Sequence, residues 1–492
     1  MLPERHVPGV LVGNAARGTS LYAEVWVEEQ CAAVHEAALH LLEHVGVQVR
    51  HERALPMLVE AGASCDGSRA CIPRRLVEDA LRTAPREVAF ESRGDAPDLR
   101  LRQGETFFGT GPDCLYLRDP ESGERRLAVL SDVEETAAFA DALPDIDFVM
   151  SIVLPSDVDN RHDDLSQFAA MLRGTGKPLV VSTPQAGDSL PAMRELAALC
   201  GSANSVACLV MPSPPLQFEF DSLDKIMTCA EIGVPVVVAP APSAGTTAPA
   251  SIAATVTVGA AEALAGLVVH QLTREGAPFV FGVGAARTHM RTAVDAYFLP
   301  EHFLGNHAAA DLARYYGLPS WAYAGTSDAK SLDQQWSLEA AVTAVLGGLS
   351  RATLLHDVGY LESGMQGSYE SLLLGNEMVG YARALMRPVP VDAHALALDE
   401  ITAAGPGGNH LATKYTRKHH RDAWDSGLFD FSVFDRWRAT GERSLLERLR
   451  GRVAELRAAP PTHALSPEVR ARLDERLAGW LEELEPARRA RT

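Results

Sequence analysis

From Thr106 onward the chain alternates short apolar runs with longer segments whose apolar residues recur at helical spacing. The runs are Phe107–Leu117, Asp147–Leu154, Pro178–Ser182, Val206–Met211, Pro235–Ala239, Pro278–Gly282, Pro319–Ala324 and Ala352–His356. Helical patterns lie between them near 131–143, 162–174, 189–201, 221–232, 251–274, 299–316 and 333–350, with a last one at 368–386. Short, nearly continuous apolar runs suit strands of a parallel sheet covered on both faces. Strands and helices in strict alternation, eight of each, predict an α/β fold of the (β/α)8 TIM-barrel type. Ser131 followed by Glu134, and Asp188, supply capping residues where helices should open. A doubly wound sheet is the alternative, but no GxGxxG follows the first run.

The flanks read differently. Residues 1–20 carry Gly, Pro and Asn without periodicity, as a loose arm would. Helical spacing runs from Glu24 to Val45 and stops at Gly46, and it returns over Glu52–Ala61 and Arg74–Ala84, where Pro56 and Pro73 sit near the helix starts. The predicted organisation is an N-terminal arm and helical domain over 1–95, a barrel over 96–390, and a C-terminal loop and helical extension over 391–492. In the extension, GPGGNH (405–410) is a loop, TKYTRKHHRDAW (413–424) is basic and aromatic, and 442–492 is Arg/Glu/Leu/Ala-rich with helical spacing. Such a tail would pack outside the barrel or mediate homo-oligomer formation.

Charge narrows the partners. With 45 basic and 64 acidic residues the formal charge is −19, which argues against nucleic acid or an anionic membrane as the main partner. Seven scattered cysteines without a CxxC fit buried free thiols in a reducing compartment. The N-terminus lacks the apolar core of a signal peptide. The longest apolar run, Ala253–Val269, is broken by Thr255, Thr257 and Glu262 and reads as a barrel helix, not a membrane span. A soluble, cytoplasmic protein is expected.

Candidate chemistry gathers in 318–370, where polar residues follow the ends of apolar runs. In a barrel this is the catalytic mouth. His356 and Asp357 end the eighth run, so His356 could be a general base or hold a substrate, or could simply bond a backbone carbonyl of the rim. Asp328, in GTSDAK after the seventh run, could face a cation or cap a turn. Glu362 and Tyr360 follow in VGYLESG, and Gln334 and Gln335 open the preceding helix. Tyr360, Phe108, Tyr116, Tyr297 and Trp336 could each offer a π face to a quaternary ammonium, although core packing explains any one aromatic equally well. Gln217, Ser243 and Thr246 lie in rim loops and could hydrogen-bond a ligand or shape turns. No HExxH, zinc-spaced Cys/His pair, P-loop or GxSxG occurs, so no metal is expected.

GTSDAKSLDQQ (325–335), RATLLHDVGYLESGMQGSYE (351–370), LARYYGLP (312–319) and GPGGNHLATKYTRKHHRDAW (405–424) together resemble the signatures of the trimethylamine methyltransferase family. LLEHVGVQV, ALPMLVEAGA, IPRRLVEDAL and ALPDIDFV fit it too, and the resemblance spans roughly 25–440. It implies a barrel enzyme, of a family associated with methanogenesis, that moves a methyl group from a methylated amine to the Co(I) of a separate corrinoid protein. The chain contains only standard residues, which resembles the non-pyrrolysine branch, with betaine-like quaternary amines such as glycine betaine as expected substrates. Cobalamin is expected on the partner, since no DxHxxG occurs here. Carried over by position, the resemblance implies Asp328, Gln335, His356, Tyr360 and Glu362 as site-lining; together with the residue reading above, the expected site has His356, Asp328 and Glu362 as catalytic and Gln335, Tyr360, Asp357, Phe108, Tyr116 and Trp336 as substrate-binding. Thr413 and Tyr415 stand where relatives show a His-rich run, and Asn409-His410 also depart from the pattern. A corrinoid-independent hydrolase or lyase using His356 as base, and a non-catalytic methylammonium binder, are the alternatives.

Overall fold

The computed structural model describes residues 11–14, 19–183 and 185–489, so most of the arm expected over 1–20 lies outside the described residues. Seven strands run parallel in one sheet: Phe107–Thr110, Leu179–Ser182, Val206–Val210, Val236–Val238, Phe279–Gly282, Ser320–Tyr323 and Leu354–Val358, the last pairing back onto the first. Single parallel bridges from Phe148 to Gly109 and from Val149 to Leu179 insert the second stave and close the ring. Every expected strand position is therefore occupied in a closed (β/α)8 barrel. Its helices, from Leu130–Asp141 to Tyr369–Met386, match the predicted periodicities within a few residues. The first strand is shorter than Phe107–Leu117. It stops at Thr110, and Tyr116–Arg118 forms a separate strand that pairs with Arg125–Leu127 and Gln366–Gly367 on the rim.

Alternation within the strands divides the core. Met150, Val180, Leu209, Val237, Val280, Trp321 and Leu354 face inward, while their neighbours along the strands, such as Leu179, Val181, Cys208, Val236, Phe281 and Leu355, pack against the helices. The barrel floor comes from the hairpin Glu87–Phe90/Leu99–Arg102, whose alternating Val88, Phe90, Leu99 and Leu101 insert into the inward cluster. Its turn is tied to the start of the third and fourth strands: Glu91 N donates to Asn204 O at 3.1 Å and Arg93 N to Gly176 O at 2.7 Å. The expected boundary at residue 95 falls inside this hairpin, which packs into the barrel interior. The N-terminal region is also not purely helical. Helices Glu28–His40, Ala54–Ala61 and Arg74–Thr83 are interleaved with short strands Val47–Val49, Ser64–Asp66 and Arg69–Cys71, and the first of these pairs with Gln217–Phe218 of the barrel rim.

The C-terminal helices Leu445–Ala458 and Pro467–Arg489 pack on the outside of the barrel, against Tyr369–Met386 and against Asp163–Gly174 with Ser189–Leu199. Near the end of the chain the Arg488 guanidinium is buried, bonding Asp164 Oδ1 at 3.1 Å and Ser189 Oγ at 2.5 Å. Between 389 and 434 the extension exposes Val389, Val391, Leu398, Leu411, Phe431 and Val433. Helix Ile252–Thr273 is long and apolar enough to cross a membrane, but most of it is buried in the barrel wall. Its Glu262 accepts the Leu216 amide at 2.5 Å, and burial pushes that carboxyl up to about 8. All seven cysteines are free; five are buried, but Cys65 is exposed, contrary to the expectation of uniform burial.

Truncating the fully buried Phe90 to Ala should destabilise the fold by roughly 3–5 kcal/mol, because the barrel floor cannot collapse onto the void; urea unfolding measures it. Burial also holds His270 down to about 3, against an ordinary 6.5. A histidine kept neutral in the fold contributes stability that is full above pH 6.5 and lost as pH falls toward 3. In His270→Leu the thermal midpoint should therefore fall less than in the parent as pH drops below 6.5; parallel curves would contradict this.

Candidate active site

At the carboxyl ends of the strands a cavity of about 300 Å³ opens, lined by Trp321, Tyr323, His356, Asp357, Tyr360, Tyr297, His302, Asn306 and Asp295, with Pro112, Leu209, Met211, Ala239, Ala241, Gly284, Ala286, Ser363 and Gly364 completing the wall. Its centre is an irregularity in the eighth strand. Leu355 pairs with Phe108 and Val358 with Thr110, so three steps on one strand face two on the other. The extra residue is a β-bulge, which re-aims side chains at a barrel rim. Asp357 sits in it with φ of 76°, a left-handed conformation that a non-glycine residue adopts only under constraint. Its side chain is 1% exposed, and neither carboxylate oxygen has a hydrogen-bond partner among the described residues. His356 Nδ1 lies 2.5 Å from Asp357 Oδ1, an ion pair whenever the imidazole is protonated. Gly111 makes room for the arrangement: a Cβ there would stand 2.2 Å from Tyr360 Cζ and 2.6 Å from Asp357 Oδ1.

Aromatic rings enclose the carboxylate. His356 stacks on Trp321 with centroids 4.4 Å apart and planes at 19°. Tyr323 meets His302 edge-on at 4.7 Å and Tyr297 at 5.9 Å. The Tyr360 hydroxyl donates to Pro112 O, and that of Tyr323 to Tyr297 O at 3.2 Å. Burial, with nearby acidic groups adding to it, pushes the phenols of Tyr297, Tyr323 and Tyr360 well above their ordinary range. The same burial lowers His302 to about 4, so its imidazole is neutral at pH 7. Rings that present negative faces, together with carboxylates, make a site complementary to an organic cation.

The structure brings together only some of the residues singled out from sequence. His356, Asp357 and Tyr360 line the cavity, as does Tyr297. Asp328 stands behind it, accepting from the amides of Tyr297 (3.0 Å) and Phe298 (2.9 Å) and from Ser363 Oγ (2.7 Å), which fixes two rim loops to each other. Gln335 is exposed and donates to Glu339, whose other oxygen takes Ser327 Oγ and the Asp328 amide. Glu362 pairs with Arg125 at 3.1 Å, and Arg125 lies 3.4 Å above the Tyr116 ring, forming a rim cluster outside the cavity. Phe108 points outward into the helix layer beneath Arg383, and Trp336 donates to Ser371 Oγ between two helices. Asp328, Glu362, Gln335, Phe108, Tyr116 and Trp336 are thus not among the residues that line this cavity. Of the rim-loop residues, Ser243 bonds Asp295 Oδ1 at 2.7 Å, and Thr246 lies beside Thr288. Trp321, Tyr323, His302, Asn306 and Asp295 were missed. A signal existed for the first two, since residues two apart on a strand share a face and here that face is inward.

A larger groove of about 1070 Å³ lies elsewhere, under the C-terminal extension against helix Leu130–Asp141. Its charges are already paired, Arg457 with Glu135 and Arg470 with Glu134, and it is remote from the strand ends. Among the described residues no group of three or more His, Cys, Asp or Glu could hold a metal ion.

Comparison with known proteins gives a consistent picture. The family profile described as trimethylamine methyltransferase (MTTB) matches residues 11–483. A glycine betaine methyltransferase of Desulfitobacterium hafniense (strain Y51) is 30% identical, covering 91% of this chain and 95% of its own. A trimethylamine methyltransferase of D. hafniense (strain DSM 10664 / DCB-2) is 29% identical, covering 86% of both. One from Methanosarcina barkeri (strain Fusaro / DSM 804) is 28% identical over 88% of this chain and 90% of its own.

If the cavity is the ligand site, Gly111→Ala should abolish methylammonium binding by displacing Tyr360 and Asp357 while leaving the circular-dichroism spectrum unchanged. Retention of binding in a folded Gly111→Ala protein would show that the site lies elsewhere.

Proposed function

The chain belongs to the trimethylamine methyltransferase family, and we propose that it demethylates a quaternary or tertiary methylated amine, passing the methyl group to a separate corrinoid protein. The observation that carries the reading is the ring-lined cavity at the barrel mouth, with the buried carboxylate of Asp357 facing it beside His356. Trp321, Tyr323, Tyr297 and Tyr360 hold the ammonium head, each ring–cation contact contributing on the order of 0.5–2 kcal/mol. Asp357 and Asp295 add Coulombic attraction. These interactions favour the bound cation, so they lower KM and orient one N–CH3 bond toward the opening; the rate gain comes from that orientation. When the C–N bond breaks, its electron pair stays on nitrogen, so a quaternary ammonium leaves as a neutral tertiary amine without any proton transfer. The site's hold on the product weakens at that moment, which favours release. Cobalamin in the Co(I) state on the partner would supply the two-electron nucleophile that accepts the methyl group.

A macromolecular acceptor has a fitting surface. Leu115, Met211, Met290, Val294 and Met365 are exposed on loops of the barrel's mouth side, and flexible methionines suit a surface that must repack on a partner. The exposed apolar residues between 389 and 434 support self-association as well; sedimentation velocity that detects only monomer would remove that part.

The test combines the protein, a Co(I) corrinoid protein and, separately, glycine betaine, carnitine, proline betaine, choline and trimethylamine, with the demethylated amine quantified. Product that requires both proteins is the expected result. Product without the corrinoid protein would favour the hydrolase or lyase alternative, and binding without product a methylammonium binder. His356→Ala should lower turnover by roughly 100-fold or more through loss of the ring stacked on Trp321, with folding intact; unchanged turnover would take His356 out of the site.

A further inference from the structure

The names of the relatives leave the substrate's charge open, since trimethylamine is a cation when protonated and glycine betaine a zwitterion. The cavity distinguishes the two. We infer that it selects methylammonium ions that carry no carboxylate, such as choline or tetramethylammonium, over zwitterionic betaines, with Asp357 and Asp295 as the discriminating pair. This rests on the functional reading above and narrows its substrate class.

Two carboxylates face the cavity from different parts of the rim. Asp357 lies near the end of the eighth strand, buried, with both oxygens lacking hydrogen-bond partners among the described residues. Asp295 follows the sixth strand, and its Oδ1 is held by Ser243 Oγ at 2.7 Å and Thr288 Oγ1 at 2.9 Å. A betaine carboxylate in the same cavity would be repelled chiefly by the buried Asp357, because Asp295 is exposed and water screens its share.

Most side-chain groups of the lining are also unable to donate to such a carboxylate. The Tyr323 and Tyr360 hydroxyls donate to backbone carbonyls. Both amide hydrogens of Asn306 are taken, by Ala285 O at 3.1 Å and His302 O at 2.8 Å, so that it presents only its oxygen to the cavity. Ser363 Oγ donates to Asp328 Oδ1 at 2.7 Å. Each of these groups turns an acceptor, not a donor, toward the ligand. Among the side chains of the lining the remaining donors are the Tyr297 hydroxyl and two imidazoles, of which His302 is neutral with one N–H to give and His356 lies against Asp357. A lining rich in acceptors suits a cation, and it also suits a neutral hydroxyl that can donate to Asn306 Oδ1 or a carboxylate. It leaves a ligand carboxylate poorly solvated.

Isothermal titration of the purified full-length protein with tetramethylammonium, choline, glycine betaine and carnitine reads this directly, because tetramethylammonium and glycine betaine share a head group and differ by the carboxylate. The expected result is a Kd roughly tenfold or more lower for tetramethylammonium and choline. In Asp295→Asn and Asp357→Asn the preference should shrink, mainly through weaker cation binding. Glycine betaine binding as tightly as tetramethylammonium, or a preference unchanged in both variants, would overturn the inference. If glycine betaine alone is bound and demethylated with the corrinoid protein, the inference fails while the proposed function stands; if neither class is bound, both fail.

Discussion

Burying the Asp357 carboxylate without a hydrogen-bond donor opposes folding by several kcal/mol, and holding its backbone at φ of 76° adds to that cost. Much of the barrel's catalytic end is arranged so that this state persists. The bulge in the eighth strand creates the position, Gly359 with φ of 101° lets the chain turn away from it, and Gly111 leaves the space it occupies. The ring of His356 stacked on Trp321 covers one side, and the tyrosines exclude water from another. His356 offsets part of the cost of this burial when its imidazole is protonated, and under the proposed function a bound cation would offset more of it.

The rigidity around the cavity comes from carboxylates that do have partners. Asp328 ties the loop carrying Tyr297 to the loop carrying Ser363, and Glu339 clamps the turn in which Asp328 sits. Both act on the ligand only through the residues they hold. The contrast with Asp357 is one of position: Asp328 and Glu339 stand behind the cavity with their oxygens turned to loop amides and hydroxyls, whereas Asp357 lines the cavity itself.

The barrel was legible because eight apolar runs and eight amphipathic segments alternate without interruption, and period alone separates strand from helix. What hid the floor hairpin was its weak signal: Val88-Ala89-Phe90 and Leu99-Arg100-Leu101 are short, flanked by Arg and Asp, and gain their stability from the barrel interior that they enter. The site was half legible. His356, Asp357 and Tyr360 lie at or just past the end of an apolar run in sequence, and that end opens on the cavity. Phe108 and Trp336 look equally suitable as letters, but strand and helix phase turn them toward the helix layer. Glu362 and Tyr116 were lost to Arg125, a partner 237 and nine positions away respectively, which only the rim hairpin brings between them. His302 and Asp295 carried no local signal, because their role depends on how the segment after the sixth strand folds over the mouth.

The floor has a kinetic implication. With Phe90 and its hairpin neighbours filling the lower end, the barrel is left with a doorway at its mouth, and under the proposed function amine, demethylated amine and acceptor would all use it. An acceptor seated over that doorway would seal the amine inside, so the amine has to enter before the acceptor docks and its product must wait until the acceptor departs. Turnover would then follow a compulsory order, with separation of the two proteins as a gate on every cycle.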